Sequence, residues 1–174
     1  MDDPYARPRA IPRALAAVAV GWAATAVHLA CSVVVLFAAV GAEKGDNDGG
    51  AIVMGTAYLL VLTAALIMLP FGYFRVRRSL ADGRVMISAA GVALMPGFLC
   101  CTGFIGFAGL TYQNVEDPDA LRDSFALAGG LAAALACVAL IAAIVYLWQP
   151  AVTRHFRQTF ATARAPRPSA PGQW

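Results

Sequence analysis

The chain has 174 residues, 60% of them apolar and 13% charged, with a mean hydropathy of +0.67. Soluble domains carry about 25% charged residues, so a soluble fold is excluded and an all-α membrane protein is predicted. The net charge is only +3, nothing predicts a nucleic-acid partner, and the first partner implied is the lipid bilayer.

Residues 1–13 contain Pro4, Pro8 and Pro12 and little apolar surface to offset ordering entropy. A disordered cytoplasmic lead is expected there. Residues 14–40 then run for 27 positions without a formal charge. About 20 apolar residues cross a hydrocarbon core of about 30 Å, whereas the apolar region of a cleaved signal is about 7 to 15 residues long. The run is therefore read as a signal anchor that stays in place. Ala14, Ala17, Gly21, Thr25, His28, Ser32 and Ala39 share one stripe at helical spacing. Apolar side chains gain nothing by clustering in lipid, so a small and polar stripe is expected to face other helices.

The segment GAEKGDNDGG is an acidic, glycine-rich turn without the ligand spacing of a calcium loop. The second span, 51–74, is mostly aliphatic and ends in Pro70, Phe71, Gly72, Tyr73 and Phe74 before Arg75, Arg77 and Arg78. Aromatic residues followed by arginines mark a membrane interface, and Pro70 predicts a local kink because it lacks a backbone donor. In the third span, 85–110, Pro96-Gly97 predicts a hinge. Ala89, Ala93, Gly97 and Cys101 recur there every four residues as an expected packing face.

After an acidic outer loop, the alanine-rich fourth span, 125–148, offers Gly130 and Ala134 for packing and ends in Tyr146 and Trp148. Beyond Pro150, residues 150–164 place Val152, Phe156, Phe160 and Ala163 on one face, the pattern of an amphipathic helix on the membrane surface. Residues 165–174 are proline-rich and expected to be disordered.

Eleven of the thirteen basic residues lie before the first span, between the second and third, or after the fourth. Lys and Arg mark cytoplasmic segments. A single four-helix transmembrane bundle over 14–149 follows, with both termini inside, short loops and no soluble domain. Arg75, Arg77, Arg78, Arg84, Arg154 and Arg157 are assigned to topology and lipid headgroups. A plasma membrane is expected, and twelve arginines beside one lysine, with abundant alanine, suggest a bacterial source.

Chemistry has room only among the spans, where ionisable groups default to a functional reading. His28, Cys31, Cys100, Cys101 and Cys137 fall near mid-bilayer on three helices, and imidazole with thiolates suits soft metals. Cysteine is also a readily buried small hydrophobe, and packing is the expected role. Neutral His28 is expected to bond a carbonyl or hydroxyl on another helix. No span holds the membrane-embedded Glu of a small multidrug exporter, nor the facing histidines of a bis-histidine haem bundle. The sequence thus predicts no enzyme and no cofactor. It predicts a structural or accessory protein assembling through small-residue faces, as a homo-oligomer or within a larger complex. A small transporter or channel hinged at Pro96-Gly97 is the alternative.

Overall fold

The computed structural model of the chain describes residues 8–42, 49–111 and 120–164. Among these the regular elements are five helices: α1 Ala10–Ala42, α2 Gly49–Arg77, α3 Asp82–Thr111, α4 Ala120–Leu147 and α5 Pro150–Arg164. Three contain segments long and apolar enough to cross a membrane, Ala10–Val34, Gly55–Arg77 and Leu127–Leu147. The expected lead at 1–7, the two acidic loops at 43–48 and 112–119, and the tail at 165–174 lie outside the described residues.

The four long helices form a ring in chain order. Each packs on its sequence neighbours, and α4 closes the ring against α1 through the most extensive interface. Small side chains explain that closeness. Ala14 and Ala24 of α1 and Ala133, Ala136 and Ala143 of α4 are buried. A Cβ at Gly21 would lie 2.9 Å from Cδ2 of Leu140. Without a hydrophobic drive between helices in lipid, such backbone approach is the main source of association.

Helices α2 and α3 meet through a tight turn. Ser79 N–H donates to the Val76 carbonyl at 2.9 Å and Leu80 N–H to the Arg75 carbonyl at 2.9 Å. These are the paired bonds of a Schellman cap, and Ser79 occupies its left-handed position with φ 60°. Arg75 bonds Asp82 across the turn. Beyond it, a Cβ at Gly83 would sit 2.8 Å from the Gly72 carbonyl oxygen, so the two backbones touch.

Helix α2 continues through Pro70 without a break. Proline cannot donate to the carbonyl four residues earlier, which is that of Leu66. The indole Nε1 of Trp22 on α1 donates to this carbonyl at 3.0 Å. Hydrocarbon offers no water to do so.

Two features differ from the sequence reading, the start of α1 and the seat of α5, and the expected packing face of α3 lies on its outer side. Helix α1 starts at Ala10, and Ile11 is wholly buried, so residues 10–13 are helical and not part of a disordered lead. Pro12 is compatible with this because the first turn needs no intrahelical donor. The inward face of α3 carries Ile87, Ala90, Gly91 and Leu94, while Ala89 and Ala93 are exposed. Helix α5 has the expected bounds, but Val152 and Phe156 are buried in the same core as Ile11, Val76 and Leu147. Its apolar side covers the end of the bundle.

Candidate functional site

His28 is wholly buried, and with Thr25 it makes up the buried polar side chains among the described residues. Thr25 donates its hydroxyl to the Gly21 carbonyl of its own helix at 2.7 Å. His28 reaches two other helices. Its Nδ1 lies 2.8 Å from the Gly129 carbonyl on α4, and its Nε2 lies 2.8 Å from the Tyr58 hydroxyl on α2. A carbonyl only accepts, so Nδ1 carries the proton, and in the neutral ring Nε2 accepts from Tyr58. Tyr58 and Gly129 each stand about ten residues, or roughly 15 Å, inside the start of their helices, so one level of the bundle is tied across three helices.

Glycines make room for this tie. A Cβ at Gly129 would lie 3.0 Å from Cβ of Cys31 and 3.7 Å from His28 Nδ1. At Gly97 on α3 a Cβ would fall on the Tyr58 ring. Gly97 therefore backs the tyrosine that bonds His28, and all four long helices contribute to one cluster. Helix α3 runs unbroken through Pro96 and Gly97.

The cysteines are only partly gathered. Cys31 is buried beside Gly129. Cys137 stands eight residues beyond Gly129 on α4, about 12 Å further along, and its thiol contacts Met95 Sδ at 3.4 Å. Side chains of Cys100 and Cys101 lie outside the described residues. Among the described residues no group of three or more His, Cys, Asp or Glu could hold a metal. The four apolar runs hold no Asp or Glu, and the arrangement around His28 joins α1 to α2 and α4.

Of the other residues assigned to packing, Gly21 is buried and Ser32 and Gly97 are half-buried. Ala89, Ala93 and Ala134 point out of the chain, and a Cβ at Gly130 would meet nothing within 4 Å. The outward surfaces differ in relief. Helix α4 exposes Leu127, Leu131, Leu135, Val138, Ile141 and Val145. Helix α1 exposes Ala16, Val20, Ala23, Val27, Ala30 and Val34, spaced alternately four and three residues apart. Sequence reasoning passed over this heptad stripe, as it passed over Tyr58 and Trp22. A hydroxyl buried ten residues into a span was the available signal for Tyr58.

At the opposite end, where α2 and α4 finish and α3 begins, the arginines are arranged unequally. Arg77, Arg78, Arg154 and Arg157 are exposed, and Arg75 is engaged by Asp82. Arg84 is half-buried, its guanidinium carbon 5.1 Å from the Trp148 ring centre and 4.9 Å from that of Phe156. Its Nη1 donates to Thr153 Oγ1 at 3.1 Å, and Trp148 Nε1 donates to Ser88 Oγ at 2.9 Å. Burial, and then the charge of Arg157, push the Arg84 guanidinium below its ordinary value. No protein-family model, curated protein or solved structure matches the chain.

Proposed function

We propose that the chain is a four-span membrane protein of a bacterial plasma membrane, with α3 as the fourth span and both termini cytoplasmic. It performs no catalysis and acts by assembling, with itself or within a larger membrane complex, through low-relief helix faces. The observation that carries this reading is the exposed Ala/Val heptad on α1. Heptad spacing keeps one seam facing a partner helix, and small side chains there let backbones approach in lipid. Helix α3 adds a shorter stripe of the same kind in Val85, Ala89, Val92 and Pro96, all exposed. The orientation rests on the arginines gathered at the end from which α1 starts.

Crosslinking in native membranes tests the assembly. Ala23→Cys or Val27→Cys on α1 is expected to give intermolecular disulfides, whereas Leu131→Cys on the bulky face of α4 is not. Recovery of monomer alone at every loading, with no second protein attached, refutes the reading.

A further inference from the structure

We infer that Arg84 and Arg157 form a binding site for a phosphate-bearing anion at the arginine-rich end of the bundle, with Thr153 and Trp148 holding Arg84 in place. Arg84 is not a freely moving surface charge. Two aromatic rings flank its guanidinium and Thr153 fixes Nη1, so the planar fork is set in one orientation. Such a fixed fork loses little freedom when it grips a phosphate, which guanidinium matches with paired N–H bonds.

One donor of the fork has no acceptor among the described residues. Arg84 Nε is buried without a hydrogen-bond partner, and an unmet buried donor is costly. Its charge neighbour has the same sign. Arg157 follows Thr153 by one helical turn, so both occupy the side of α5 to which Nη1 is bonded. Among the described residues the one carboxylate at this end is that of Asp82, which Arg75 engages. Arg157 acts on the Arg84 guanidinium as a like charge, and an anion bound between the outward N–H groups of two such arginines offsets that repulsion. Phosphate headgroups of an anionic lipid lie at this level beside an interfacial tryptophan. A soluble phosphate presents the same chemistry.

The test uses the full chain in a neutral maltoside detergent and follows its thermal unfolding midpoint. Phosphatidylglycerol, phosphatidylcholine and inorganic phosphate are added separately to wild type, Arg157→Gln, Arg84→Lys and Arg78→Gln. Wild type is expected to gain on the order of 5 °C at saturation. Response to phosphatidylglycerol alone identifies a lipid headgroup, and an equal response to inorganic phosphate identifies a soluble ligand. Arg157→Gln relieves the like charge beside Arg84, so it should not lower the ligand-free midpoint and should lose most of the gain. Arg84→Lys keeps the charge but not the fork and should lose it also, while Arg78→Gln should retain it. The site is disproved by no gain with either phosphate compound or by an equal gain with phosphatidylcholine. It is equally disproved if Arg157→Gln keeps the full gain or Arg78→Gln loses as much.

Discussion

Trp22 donates its indole N–H to the Leu66 carbonyl, the acceptor that Pro70 leaves unmet one turn further along α2. A proline in one helix is thus compensated by a tryptophan in its neighbour. Trp22→Phe removes the donor and is expected to cost about 0.6 to 1.7 kcal/mol, from the average to the largest value found for hydrogen bonds between membrane helices. Pro70→Ala restores an N–H within α2, and in that background Trp22→Phe should cost little beyond its packing. A double-mutant cycle in mixed-micelle unfolding measures this. Additive costs would show that the two positions are not coupled.

The tie at His28 should weaken in steps. Tyr58→Phe removes one bond and keeps the ring, for about 0.6 kcal/mol on the average for such bonds. His28→Leu removes both and leaves the tyrosine hydroxyl without this acceptor, for about 1 to 3 kcal/mol. The same unfolding assay ranks the two variants. If His28→Leu matched wild type, the histidine would not join the helices energetically.

Gly97 is tested by adding one methyl group. Gly97→Ala drives a Cβ into the Tyr58 ring, and overpacking of this kind costs about 1 to 3 kcal/mol. Tyr58→Phe leaves the ring in the way and should not rescue Gly97→Ala, whereas Tyr58→Leu vacates the space and should. Equal rescue by both substitutions would place the conflict at the hydroxyl.

How far the sequence reveals these relationships depends on which residues can report a direction. On α1, Thr25 and His28 are polar in an apolar run, and burial in lipid-excluded space is the cheap solution for both, so the inward side is readable. On α3 the residues are apolar or small on every side, and the lipid solvates a leucine as well as the core does. Small residues occur on two faces, Ala90 and Gly91 inward and Ala89 and Ala93 outward, so a four-residue spacing cannot choose between them. The partners of His28 follow from helix order, which a sequence of similar apolar runs does not encode locally. The face of α5 is legible, but whether it meets lipid or protein depends on Ile11, Val76 and Leu147, which are distant in sequence.

Ser79 predicts a stabilising substitution. Its φ of 60° lies in the left-handed region, which costs a residue with a side chain about 1 to 2 kcal/mol. Ser79→Gly removes that strain but frees the unfolded chain, so a net gain of about 0.5 to 1 kcal/mol is expected. Ser79→Val should be destabilising because β-branched side chains fit the left-handed region worst. Unfolding midpoints of the pair bracket the wild type if the cap governs the turn.

Phe156 is expected to decide whether α5 stays docked. It is 1% exposed and packs with Val152 against the bundle end, and it also forms one wall around Arg84. A helix of 15 residues is marginal in isolation, so its order depends on this contact. Phe156→Ala removes about 3 to 5 kcal/mol of burial. The long helices retain their mutual packing, because the α1/α4 and α2/α3 interfaces run along those helices well beyond the end that α5 covers. The expected result is local release. Trypsin cleavage after Arg154 and Arg157 should accelerate by about two to three and a half orders of magnitude, following the rise in the open population at 1.4 kcal/mol per tenfold. The helical signal from the four long helices should persist in the same sample. Cleavage at the wild-type rate would mean that α5 is held by something other than its apolar face, and loss of the whole helical signal would mean that α5 is integral to the bundle.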